Sequence, residues 1–312
     1  MTGQAILFPG QGSQSVGMGR EAAAASRAAA GVFRRADDVL GFGLSQICFE
    51  GPADKLECTD IQQPAIFVTS AALWQAMREN GASVEDFSAA AGLSLGEYTA
   101  LYVAGAVSFD DGLRLVHRRG QLMQQASDAN PSGMVSLIGA DEETARTLCE
   151  RASQGEVLAP ANFNCPGQIV ISGARGACGR ALELAEQCGC RAAALKVAGA
   201  FHSALMASAA DGLATALTTT TINPPRIPVL ANVDAGPHGD PDAIRDALVR
   251  QLTHPVLWQR SMERLIRDGF TRFVEVGAGR VLKGLMRKID RRAQVVNMAT
   301  PGDLAAWPSS PG

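Results

Sequence analysis

Short apolar runs of strand length alternate with longer alanine-rich or amphipathic stretches along almost the whole chain. This alternation constrains the fold more than any other feature, because strands separated by helix-length connections pair in parallel and must be covered on both faces. AILF (5–8) reads as a buried strand ending at a Pro-Gly turn, and FSAAAGL (87–93) as a second strand running into a helix. Between them lie helical stretches at 21–40 and 63–80, and FDDGLRLVHRRGQLMQQASDA continues as a long helix with two acids in its first turn. From Pro131 the order becomes strand, helix, strand, strand, helix, strand (MVSLIG, DEETARTLCERAS, VLAPANFN, QIVISG, ARGACGRALELAEQCG, RAAALKV). That is the split βαβ order of a ferredoxin-like lobe, bracketed by glycine-containing joints near 133 and 199. The expected fold is therefore an α/β body over 1–128 and 199–300, with an inserted lobe over 129–198. In the resumed body IPVLANV and TRFVEVGAG read as strands, and DPDAIRDALVRQL and RVLKGLMRKI as helices. The last residues, TPGDLAAWPSSPG (300–312), read as a frayed or loosely docked tail.

Composition narrows the function class. A net charge of −3 gives no basic surface for nucleic acid, although Arg114, Arg118, Arg119 and the RKIDRR stretch could form a local patch for an acidic partner. The seven cysteines have no zinc or disulfide spacing, which fits reduced thiols in a cytoplasmic compartment. No apolar run is long enough for a membrane span, and the N-terminus is not built like a secretory signal. A plastid location would require a transit peptide ahead of this sequence.

Gly92-Leu93-Ser94-Leu95-Gly96 stands between a strand of small residues and a helix. A tight strand-to-helix turn of this kind forces a serine into an exposed, strained position. It also leaves the amide of the next residue, Leu95, at a helix N-terminus, where it can donate to an oxyanion. Such a serine needs a base. Of the four histidines, His117 lies in a helix, His238 in a polar loop and His254 before a proline. His202 sits where an apolar strand gives way to a helix, a rigid setting, but position alone leaves a structural role open for each. Pro9-Gly10-Gln11-Gly12 has neither dinucleotide-binding nor Walker A spacing. It is either a plain βα turn or the source of a second oxyanion donor, the Gln11 amide. Gly277-Ala278-Gly279 reads as a close-packed turn.

Taken in order, PGQGSQ, GLSLGEYTAL, RRGQLMQ, ANFNCPGQIVISG, GAFHSALM, QLTHPVLW and VEVGAGRVLKGL resemble the malonyl-CoA:acyl-carrier-protein transacylases, over about residues 5–290. The resemblance implies an α/β-hydrolase-like body with a parallel sheet and an inserted ferredoxin-like lobe. It implies a malonyl-accepting Ser94, a general base His202, and oxyanion amides from Gln11 and Leu95. Arg119 becomes a clamp for the malonyl carboxylate, Gln251 the group that orients the histidine, and Asn162 and Phe201 substrate-binding residues. The expected partners are malonyl-CoA and an acyl carrier protein, with no nucleic acid, membrane, metal or other cofactor, and the expected state is a monomer. Two positions depart from the usual pattern: Leu93 replaces the histidine common before the nucleophile, and Ala278 a proline. Phe201 resembles the residue of malonyl-selective members. A polyketide-pathway acyltransferase or hydrolase, and a non-catalytic carrier-binding module, are the competing readings.

Overall fold

The structure, a computed structural model, describes residues 3–307. Its strands are β1 (Gly3–Phe8), β2 (Ala89–Gly92), β3 (Ser132–Ile138), β4 (Leu158–Cys165), β5 (Gln168–Ala174), β6 (Arg191–Ala194), β7 (Phe270–Val276) and β8 (Gln294–Met298). They form two sheets. One is wholly parallel in the order β2-β1-β7-β8. The other is antiparallel in the order β4-β5-β3-β6.

The parallel sheet is apolar on both faces because helices cover both. Along β1, Ile6 and Phe8 point into one core cluster and Ala5 and Leu7 into another, the period-two alternation of a strand with two buried faces. β2 repeats it with Ala90 against Ala89 and Ala91. The register pairs Phe8 with Gly92, so β1 and β2 end at the same level. The turns holding Gln11 and Ser94 therefore leave the sheet side by side at its carboxyl edge, where open α/β sheets place their sites.

The antiparallel sheet with its helices Glu142–Ser153 and Arg175–Leu184 has its own apolar cluster and the βαββαβ order of a ferredoxin-like lobe. It meets the body along β4, where the Phe163 amide donates to the Val256 carbonyl and the Val256 amide donates to the Ala161 carbonyl, on either side of Asn162.

Some expected elements differ. IPVLANV forms no ladder of its own: Val229 makes one parallel bridge to Ala90 and Leu230 one antiparallel bridge to Pro237. The residues after Val229 turn away instead to place Asn232. The segment expected to fray begins with a capping box between Thr300 and Asp303, forms a helix over Pro301–Ala305, and buries Trp307 in a stack on Phe87, ring centroids 5.7 Å apart. That stack gives the end of the described chain an apolar anchor its composition did not suggest; residues 308–312 lie outside the described residues. β8 and the helix Trp258–Arg267 are additional elements. Among the described residues, no helix is long and apolar enough to cross a membrane.

Candidate active site

Ser94 occupies the left-handed backbone region at φ 51°, an uncommon conformation for a residue with a Cβ. The flanking glycines make the turn possible. A Cβ on Gly92 would lie 1.8 Å from the Gly96 carbonyl carbon, and one on Gly96 would lie 2.1 Å from the Phe8 oxygen. The helix Gly96–Val103 thus starts directly against β1 and β2. Asn232 ties the turn down. Its Oδ1 accepts from the Ser94 amide at 2.6 Å and its Nδ2 donates to the Gly92 carbonyl at 2.7 Å.

His202 Nε2 lies 2.9 Å from Ser94 Oγ, and its Nδ1 lies 2.6 Å from the main-chain oxygen of Gln251. A carbonyl can only accept, so Nδ1 carries the proton and Nε2 presents a lone pair to the serine hydroxyl. Like Ser94, His202 has positive φ, 59°. Burial, helped by the neighbouring Arg119 charge, pushes its pKa from 6.5 down to about 4, while the Gln251 carbonyl opposes that fall. The other histidines are engaged elsewhere. His117 lies 3.3 Å from Gln121 Nε2, His254 meets the Arg250 carbonyl, and His238 is buried against Glu97.

Arg119 is fully buried rather than part of a surface patch. Its Nη2 donates to Ser94 Oγ at 3.1 Å and to Gln251 Oε1 at 2.9 Å, and its Nη1 donates to Gln63 Oε1 at 2.6 Å. The guanidinium lies over the Tyr98 ring, 5.3 Å from its centroid, and burial pulls its pKa below the usual arginine value. Its Nε has no hydrogen-bond partner and, among the described residues, no carboxylate stands within ion-pair distance of the group. A buried arginine short of both a donor's partner and a directly paired carboxylate is a site for an anion.

Gln251 acts on the histidine through its backbone, not its side chain. Its side-chain amide instead donates to the Ser94 carbonyl at 3.0 Å and to Glu97 at 2.7 Å, while accepting from Arg119. The Gln11 turn lies against the nucleophile turn, since a Cβ on Gly10 would sit 2.2 Å from the Leu93 oxygen. Among the described residues, neither the Gln11 nor the Leu95 amide donates to a protein acceptor. Phe201 is buried and, with Gln11, Gly12, Cys58, Gln62 and Lys196, lines a groove of about 580 Å³ that borders the Gln11 turn. Leu93 is partly buried against the core cluster beneath β2. Asn162 is not drawn into the group around Ser94; it is partly exposed at the seam between lobe and body, bridged to Val256.

Comparison with known proteins shows the family to which this fold belongs. The acyl transferase domain profile matches residues 6–300. The chain belongs to the acyl transferase family. This acyl transferase is 42% identical over 307 residues to the malonyl CoA-acyl carrier protein transacylase of Salmonella typhimurium, covering 98% of this chain and 99% of that protein. An acyl carrier protein S-malonyltransferase from Vibrio cholerae superposes with a TM-score of 0.94 at 41% identity, over 98% of this chain and 99% of that one. A type II PKS acyl-carrier protein in complex with its malonyl-transacylase matches at a TM-score of 0.96 and 38% identity, over 99% of this chain and 100% of that one.

Three residues around this acyl transferase's serine went unread in the sequence, Gln63, Glu97 and Asn232, and His238 was read only as a loop histidine with a structural role left open. Two carried a usable signal. Glu97 is the lone charge in the apolar helix GEYTALYV, and Gln63 is an amide in the largely small and apolar stretch QQPAIFVTS. A polar group held in apolar surroundings asks for a partner.

Proposed function

We propose that the chain moves a malonyl group from malonyl-CoA to the phosphopantetheine thiol of an acyl carrier protein, through a malonyl ester on Ser94. The observation that carries this reading is the wholly buried Arg119, 3.1 Å from the Ser94 oxygen and without an acidic partner. A generic acyl nucleophile has no use for such a cation. A substrate with a free carboxylate beside its thioester supplies the missing acceptor, and a planar guanidinium holds it through two parallel hydrogen bonds. An acetyl group leaves the same cation unpaired, which disfavours it.

In the first half-reaction His202 Nε2 takes the Ser94 proton as Oγ attacks the thioester carbon. The oxyanion that forms accepts from the Gln11 and Leu95 amides. The tetrahedral adduct collapses with loss of CoA, whose sulfur takes the proton from His202. In the second half-reaction the carrier-protein thiol gives its proton to His202 and attacks the malonyl ester, and the proton returns to Ser94 as the new thioester departs. Burial of Ser94 and His202 limits water's access to the ester between the two steps. The malonyl thioester so formed serves as an extender unit, and fatty acid synthesis is the proposed destination.

Incubation with malonyl-CoA and measurement of intact mass tests the reading. A malonyl adduct is expected on the wild type and none on Ser94→Ala. Arg119→Ala should lower the preference for malonyl-CoA over acetyl-CoA. An unmodified wild type, or an unchanged preference in Arg119→Ala, refutes it. Transfer of the adduct to a carrier protein, rather than to water, distinguishes the transferase from a hydrolase.

A further inference from the structure

We infer that Glu97 is the positioning residue of the carboxylate clamp, acting through the side-chain amide of Gln251. Glu97 is completely buried, and its carboxylate meets three donors from distant parts of the chain. The Asn232 main-chain amide reaches Oε2 at 3.0 Å, Gln251 Nε2 reaches Oε2 at 2.7 Å, and His238 Nε2 lies 2.8 Å from Oε1. None of these contacts touches the reacting atoms.

The consequence runs through the direction of one amide. A glutamine side chain has a donor end and an acceptor end, and rotation by half a turn exchanges them. At Gln251 the donor end faces the Glu97 carboxylate and the Ser94 carbonyl, so the acceptor end must face Arg119. Replace the carboxylate at residue 97, which can only accept, with an amide that can present either a donor or an acceptor, and that choice loses its strongest determinant. A flipped amide would set an NH2 group against Arg119 Nη2, the nitrogen that also reaches Ser94 Oγ.

The arrangement also solves an electrostatic conflict. Arg119 is buried and benefits from a nearby negative charge. A carboxylate in direct contact would occupy the fork that the substrate's carboxylate needs. Glu97 stands one residue away, with the Gln251 amide between them, so the guanidinium has a counter-charge at second remove while Nε stays without a protein partner. His238 closes the far side of the carboxylate inside the protein, where no water is needed to satisfy it.

This inference rests on the reading of Arg119 as the carboxylate clamp, and the test keeps the two apart. Malonylation and acetylation rates are measured for the wild type, Arg119→Ala, Glu97→Gln, Gln251→Met and the Glu97→Gln/Gln251→Met double variant, with thermal melts alongside. Glu97→Gln and Gln251→Met should each lower the malonyl-to-acetyl rate ratio about tenfold, and the double variant should lower it no further than either alone. A purely structural role would slow both substrates equally and leave the ratio unmoved. If Arg119→Ala leaves the ratio unchanged, the clamp itself is wrong. If Arg119→Ala lowers it while Glu97→Gln does not, or if the two single effects multiply, the positioning role of Glu97 is overturned and the clamp survives. Should Glu97→Gln fail to fold, Gln251→Met decides: a lowered ratio supports the route through the amide, and an unchanged one removes it.

Discussion

Lowering the pH is expected to leave the acylation step at work well below the range where an ordinary histidine base fails. His202 is buried beside the Arg119 charge, and its pKa falls from 6.5 to about 4. At pH 5.5 a base with a pKa of 4 is about 97% in its neutral form, whereas one at 6.5 is about 9% neutral. The acid limb of kcat/KM for Ser94 malonylation reports the free enzyme's base and should have its half-point near pH 4. Enzyme kept at neutral pH is mixed with acidic buffer and malonyl-CoA, quenched within the burst, and read by intact mass. In Arg119→Met one of the two causes of the depression is gone and burial remains, so the half-point should rise yet stay below 6.5. The same shift has a thermodynamic face. Between pH 6.5 and 4 the unfolded chain binds a proton at residue 202 that the folded chain refuses, so this contribution to stability is full above 6.5 and is lost as the pH falls toward 4. Its size is about 3 kcal/mol, and urea unfolding should lose that much more in the wild type than in His202→Gln over this interval. A wild-type half-point between pH 6 and 7 would refute both the buried state of His202 and the role of Arg119 in depressing it.

Asn232→Ala removes the acceptor of the Ser94 amide and a donor to Gly92, leaving buried main-chain groups unpaired. It should cost about 1–3 kcal/mol of unfolding free energy, and slow malonyl and acetyl transfer together, as followed by denaturant melts and adduct formation. An unchanged rate with intact stability would show that the strained serine holds its conformation unaided. Trp307→Ala deletes the buried partner of Phe87, so it should lower stability by about 3 kcal/mol while leaving the malonylation rate of the folded enzyme near that of the wild type. A melting curve that does not move would mean that the terminal segment is not docked in solution.

Most of the fold was legible because strand and helix periods are local properties. The helix Phe109–Ala129 coincides with its sequence reading, helped by the Ser108 cap and the acids behind it. The βαββαβ order of the lobe follows from the same kind of signal. The helix Trp258–Arg267 was missed although Trp258, Ser261, Met262 and Leu265 fall on one buried face, because its entry through Pro255-Val256-Leu257 reads as extended. β8 was missed because a five-residue edge strand with three apolar side chains has little pattern of its own. The helix over Pro301–Ala305 owes its place to Trp307 meeting a ring far away in sequence, which no local window contains.

At the site, sequence and structure divide along a physical line. The sequence by itself determined the Gly-x-Ser-x-Gly turn, because only glycine on both sides lets a helix begin against two strands. It also placed the Pro9-Gly10-Gln11 turn at the end of β1. Position along the chain left the choice among four histidines open and the family resemblance singled out His202; only the tertiary structure buried Arg119 and set both against one oxygen. It turned the Gln251 backbone rather than its side chain toward the histidine. Only the tertiary structure, too, collected Glu97, Asn232 and His238 behind the serine. Those choices depend on which buried donor meets which buried acceptor, and such pairings are made across separations of 25 to 154 residues, where hydrophobic periodicity carries no information.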